Sequence, residues 1–173
     1  MPTEVKGALA LRKALRDFEP DLAKETTKEI ASFLKPVVRQ ARGFLPSNAE
    51  APSGWLKRPS AQGRWADRYY DNAEASRGIT YKTSPSKENR KGWVALASIR
   101  SKNAGAAIYE TAGRKSGIVG NFTPRFTETL EGNGQKMRGR AMFKAFAKDQ
   151  GKATAGVVQA IQKAEAKFKG KTR

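Results

Sequence analysis

The chain has 173 residues, 38% of them hydrophobic, with 34 Lys and Arg against 16 Asp and Glu and a formal net charge of +18. That length suits one compact domain, residues 1–173, with a modest core and long exposed segments, and the charge favours a polyanion or an acidic protein surface as partner. Cys and His are both absent, which excludes disulfides, thiolate metal sites, His-based triads and imidazole pH switches.

No apolar run approaches the roughly 18 residues that span a bilayer. The opening "MPTEVKGALALRKALRDFEP" has charges spaced through it, unlike a signal peptide. A soluble protein made in a cytoplasm, without a membrane partner, is expected. The first third is nearly balanced in charge, and the basic excess lies in the middle and the tail.

Leu11, Leu15, Phe18 and Leu22 recur at helical steps and form an apolar stripe. Glu19-Pro20-Asp21 interrupts it. Proline suits a first helical turn and an acid complements the positive end of the dipole, so a second helix is predicted from Pro20. Leu22, Thr26, Ile30, Phe33, Val37 and Ala41 continue one face of it. Pro36 should bend this helix, and Gly43 and Pro46 should stop it.

Residues 46–64, rich in Pro, Ser and Gly, read as a long loop. "RWADRYYDNAEAS" fits a short helix. Three β-like runs follow at 78–83, 92–100 and 105–111, joined by turn-forming segments; the first two alternate polar and apolar residues. Together they predict an antiparallel meander. A second long loop is predicted over 112–135. "MRGRAMFKAFAKDQ" and "KATAGVVQAIQKAEAKFK" have helical spacing, with Met142, Phe143 and Phe146 in one cluster and Val157, Ile161, Ala164 and Phe168 in a stripe. A frayed basic tail, 169–173, should close the chain. The fold expected is α+β: N-terminal helices, an antiparallel β-meander and C-terminal helices, with long extended loops. Its core should hold Leu15, Phe18, Ile30, Phe33, Trp93, Ile99, Ile108, Phe146 and Ile161.

Four stretches are candidates for chemistry. "AAIYETAGRKSG" has the composition of a phosphate-gripping loop, but the Walker pattern needs a glycine five residues before Gly-Lys-Ser/Thr. Ile108 holds that place, and Gly117 and Gly120 argue against a following helix. "GRWADRYYD" interleaves Arg64, Trp65, Arg68, Tyr69 and Tyr70. These residues suit base stacking with phosphate pairing, or a short amphipathic helix with its aromatics packed inward. Asp67, Asp71 and Glu74 have the spacing of one helix face, as in a metal or hydrolase site. Arg64, Arg68 and Arg77 in the same stretch make ordinary ion pairing the simpler reading. The Lys-rich end from Lys163 to Arg173 fits either nucleic-acid contact or a solvated helix terminus.

The residues Leu11, Leu15, Pro20, Asp21, Pro36, Ala41 and Pro46 in "LRKALRDFEPDLAKETTKEIASFLKPVVRQARGFLP" carry a resemblance. So do Tyr109, Glu110 and Gly113 in "AAIYETAG", and the closing "RGRAMFKAFAKDQGKATAGVVQAIQKA". The chain resembles the tail-completion and neck proteins of long-tailed bacteriophages (siphophages), the group that includes minor tail protein Z-like proteins. The resemblance spans most of the chain but rests on helical patterns, and loops 46–64 and 112–135 have no counterpart in it.

It implies a structural virion protein made in the bacterial host, joining head to tail as a ring, six-fold by analogy. The ring would contact itself, adjacent neck and tail proteins, and genomic DNA in its lumen. Head closure, tail completion and tail terminator layers all fit. No catalytic residue, metal, cofactor or small-molecule substrate is implied. The candidate interface or lumen residues are Trp55, Leu56, Lys57 and Arg58 in the first loop, and Arg114, Lys115, Ile118 and Phe122 in the second. The alternative is a basic nucleic-acid-binding protein using the Arg/aromatic and Lys-rich segments.

Overall fold

A computed structural model describes residues 7–50, 70–90, 92, 94–111, 126–129, 136–149 and 151–171. The fold is α+β with helices at both ends. Helices α1 (Ala8–Phe18), α2 (Pro20–Gly43) and α3 (Asn72–Gly78) precede strands β1 (Ile79–Lys82) and β2 (Ser98–Ser101). Helix α4 (Ala104–Thr111), strands β3 (Phe126–Thr129) and β4 (Lys136–Gly139), and helices α5 (Met142–Lys148) and α6 (Lys152–Lys171) follow. The chain forms two compact units, each discontinuous in sequence. The first comprises residues 1–37, 81–99 and 149–173, the second 38–80 and 100–148.

In the first unit, Gly7 opens α1 at φ 76°, a backbone that favours glycine. The helix stops at Glu19 because the residue before a proline is driven out of the α region; Glu19 sits at φ −138°, ψ 69°. Pro20 then starts α2, with Asp21 in its first turn. Leu15, Leu22 and Ala164 of α6 form a buried cluster with Leu11, Ala23 and Phe168 packed against it. Phe33 of α2 lies against Gly156 of α6, where any Cβ would overlap its ring. The start of α6 is closed by Asp149, which accepts from the Ala153 N–H at 2.6 Å, beside Gly151 at φ 77°. Arg12 of α1 donates to the Thr83 and Leu96 carbonyls at 2.6 and 2.9 Å and so fastens the 83–96 segment to the helix.

The second unit holds the C-terminal end of α2, then α3, α4, α5 and the antiparallel β3–β4 pair, in which Phe126 faces Gly139 and Thr129 faces Lys136. Arg42 donates twice to the Ile79 carbonyl, at 2.8 and 3.2 Å. Phe44 lies beneath the ammonium groups of Lys144 and Lys148, 4.6 and 5.0 Å from its ring centroid, a cation–π arrangement.

The α2 face is as the spacing predicts: Leu22, Thr26, Ile30, Val37 and Ala41 are all buried, and the helix ends at Gly43. It continues through Pro36 without a break. Leu15, Ile30 and Ile161 are buried, while Phe33, Ile99 and Phe146 are half-buried and Trp93 lies outside the described residues.

Several expectations are corrected. Residues 105–111 are not a third strand but most of α4. Alanine is the best helix former, and Asn103 caps the helix by accepting from the Ala106 N–H at 3.0 Å. In place of one meander, the strands among the described residues form two two-stranded sheets, β1–β2 and β3–β4. The run at 92–100 is strand only from Ser98. The predicted loop 112–135 contains β3, and residues 137–139, read as the start of the next helix, form β4 together with Lys136. Pairing with each other satisfies the backbone groups on their facing edges.

Helix α3 begins only at Asn72. Helix α6 reaches Lys171, so residues 169–171 are helical where fraying was expected. Phe18 and Ile108 are 76% and 46% exposed. Phe18 is the last residue of α1 and stands out of the stripe, which Leu11, Leu15 and Leu22 carry across the Glu19–Pro20 break into one cluster. Ile108 points away from the face that buries Ala106, Tyr109 and Glu110.

Candidate interface

The eight candidate residues Trp55, Leu56, Lys57, Arg58, Arg114, Lys115, Ile118 and Phe122 lie outside the described residues. The structure describes the residues on either side of these two segments, and all of those flanks belong to the second unit.

The first segment is flanked by residues 46–50 and 70–72. Two donors converge on the Pro46 carbonyl: the Tyr70 hydroxyl at 2.9 Å and the Asn72 amide at 2.7 Å. The Asn72 backbone N–H donates to Asn48 Oδ1 at 2.7 Å. Ser47 and Glu50 close a turn, with Glu50 Oε2 accepting from the Ser47 N–H and hydroxyl at 3.1 and 2.9 Å. These bonds hold the Glu50 carboxyl below its ordinary range, the backbone bond being the larger cause. Tyr70 is buried, and burial pushes its phenol above the ordinary value. Its ring would lie 3.6 Å from a Cβ at Gly105, so α4 lies close beside it.

The second segment follows α4 and precedes β3. Glu110, in the last turn of α4, is among the largest fully buried side chains. Its carboxylate accepts from the backbone N–H groups of Ala141, Met142 and Phe143 at 2.6, 3.1 and 2.9 Å. These are free donors at the start of α5, where the helix dipole also favours a negative charge. Arg140 makes the converse contact: buried, it donates to the Tyr109 carbonyl at 2.6 Å, at the negative end of α4. Its guanidinium carbon lies 5.7 Å from the Tyr109 ring centroid. Gly139 leaves room for this arrangement, because a Cβ there would overlap the Glu110 carboxylate. Helix α4 thus connects the two sets of flanks, through Gly105 beside Tyr70 and through Tyr109 and Glu110 beside Arg140.

The other sequence candidates resolve in part. Asp71 is the N-cap of α3 and accepts from the Glu74 N–H at 2.9 Å, so its carboxylate is committed to helix capping. Tyr70 is packed inward and presents no face for a base. Arg64, Trp65, Asp67, Arg68 and Tyr69 lie outside the described residues. In the Lys-rich helix, Lys163 and Lys167 pair with Glu29 and Glu25 of α2 at 3.0 and 2.5 Å, and Lys169 with Glu165 at 2.6 Å. Among the described residues no helix is long and apolar enough to cross a membrane.

Sequence reading missed the roles of Glu110 and Arg140. The available signal was an acid directly after the apolar run "AAIY" with a helix-capping Asn seven residues before it. Comparison with protein-family models, curated proteins and solved structures finds no match.

Proposed function

We propose that the chain is a structural ring subunit of a tailed-phage neck, joining the portal complex to the tail as a head-closure, tail-completion or tail-terminator protein. Copies of itself and adjacent neck and tail proteins are its partners, genomic DNA passes through the lumen, and it carries no catalysis. The observation that supports this reading most is the anchoring of the flanks. Residues 46–50 and 70–72 are hydrogen-bonded to each other, and α4 is tied to α5 by Glu110 and Arg140. Two segments that clasp neighbours need firm bases if binding is not to dissipate in ordering the whole unit.

Lys163 and Lys167 already face α2 acids, which leaves the nucleic-acid alternative fewer unpaired cations on that helix, but pairs this exposed are weak and do not decide against it. Native mass measurement with negative-stain microscopy of the full chain tests the proposal. It predicts a closed ring with a central hole, and failed assembly when residues 112–120 are deleted. A monomer at every concentration, binding duplex DNA with steep salt dependence, overturns it in favour of the alternative.

A further inference from the structure

A cleft of about 570 Å³ lies in the first unit between α1, α2 and the 84–85 segment. Apolar side chains of Leu9, Pro20, Ala23 and Pro85 line it, with Leu9 44% exposed. Lys13, Arg16, Lys24 and Lys28 surround them, all exposed, and among the described residues no acid lines the cleft. Arg16 and Lys24 meet Asp17 and Asp21 at 3.8 and 3.2 Å. These ion pairs are solvent-exposed, hence weak and readily exchanged for another carboxylate. Lys13 and Lys28 make no ion pair among the described residues.

The inner polar groups are already committed. Arg12 donates to two carbonyls, and Thr26 and Thr27 donate to the Leu22 and Ala23 carbonyls at 2.8 Å each. A small polar ligand would find only the flexible, exposed cations of the rim and no fixed inner donor to orient it. Duplex or single-stranded nucleic acid would meet the cations, but it would find no aromatic for stacking and would leave the apolar lining unused. An apolar lining inside a cationic rim is complementary to a segment carrying both apolar side chains and carboxylates.

We propose that this cleft docks an acidic, amphipathic segment of a partner protein, its apolar side chains against Leu9 and Pro85 and its carboxylates on Lys13 and Lys28. The site stands whether or not the chain forms a ring, and its test uses no assembled particle.

Fluorescence anisotropy of the full chain with a labelled synthetic Glu/Leu amphipathic peptide, its Gln/Leu counterpart and a DNA duplex separates the outcomes. The Glu/Leu peptide should bind, the Gln/Leu peptide should bind at least about tenfold more weakly, and the double change Lys13→Glu and Lys28→Glu should weaken Glu/Leu binding by about tenfold or more. Leu9→Ser should weaken it as well. The change Lys35→Glu and Lys152→Glu, at exposed positions on α2 and α6 at least seven residues along the chain from the cleft lining, should have little effect. Far-UV dichroism melts of the lysine variants should match the parent, and Arg16→Glu with Lys24→Glu provides a second pair if they do not. Equal binding of the Gln/Leu peptide, or equal weakening by the distant charge reversals, overturns the proposal. So does duplex binding lost in the cleft variants while the peptide fails to bind.

Discussion

The two units are held together by different means. In the first, periodic apolar faces meet: Leu15 and Leu22 pack on Ala164, and Phe33 packs on Gly156. Its long-range ion pairs, Glu25–Lys167 and Glu29–Lys163, are peripheral. In the second, polar groups reach across long sequence separations: the buried or half-buried Glu110 to α5, Arg140 to Tyr109, and Tyr70 and Asn72 to Pro46, and the more exposed Arg42 to Ile79. An apolar face tolerates small adjustments of shape. A buried carboxylate with three N–H partners is different, because removing it leaves every partner unsatisfied. The second unit should therefore be the more sensitive to single polar substitutions, and it is the unit that flanks both candidate interface segments.

The largest effect is expected at Glu110. Glu110→Ala strands three donors at the start of α5 and should lower stability by about 3–5 kcal/mol in denaturant unfolding. A loss below about 1 kcal/mol would mean that water replaces the carboxylate freely and that the contrast between the units fails.

Next is Gly156→Ala. Alanine is intrinsically better than glycine in a helix by about 1 kcal/mol, so on an open face this change would stabilise. Against the Phe33 ring it should instead cost about 1–3 kcal/mol. Combining it with Phe33→Leu should be strongly non-additive, and simple additivity would separate the two residues energetically.

Tyr70→Phe removes one donor from the Pro46 carbonyl while Asn72 still supplies another, so about 1 kcal/mol should be lost. The folded phenol is raised above its ordinary value, chiefly by burial. Its contribution is therefore complete below the unfolded value and is lost as pH rises through the folded one. Alkaline unfolding titrations should show this loss in the parent and not in the Phe variant.

The smallest effect is expected at the rim of the first unit. The Lys167 hydrogen bond, and then its charge, hold the Glu25 carboxyl below its ordinary range. Stability from this pair is present above the unfolded carboxylate value and lost as pH falls through the folded one. Lys167→Ala should flatten that acid limb slightly, and added salt should do the same to the parent.

The same contrast explains what was legible in the sequence. The α2 face from Leu22 to Ala41, the start at Pro20 and the stop at Gly43 follow from local rules: a 3.6-residue period, a first-turn proline and a terminal glycine. All three concern residues within one helix. The Glu110–α5 contact joins positions more than thirty residues apart, and nothing near Glu110 announces the helix it caps. Reading residues 105–111 as a strand gave Ile108 and Tyr109 more weight than the alanines and the capping Asn103. Phe18 has the same helical spacing as Leu11, Leu15 and Leu22, but as the last residue of α1 it is exposed while those three join one cluster, and spacing alone does not distinguish it. Of the candidate site, the composition of the two segments was legible. The polar ties that hold their flanks were not, because hydrogen bonding over such separations leaves no periodic trace.

Amide hydrogen exchange in the parent and Glu110→Gln proteins tests the central claim most directly. The substitution keeps the side-chain shape but removes the charge and one acceptor. Lost protection at Ala141, Met142 and Phe143, spreading to α4 while the amides of α6 keep theirs, is the result predicted for a unit held by its buried carboxylate. Unchanged exchange at those three amides would contradict it.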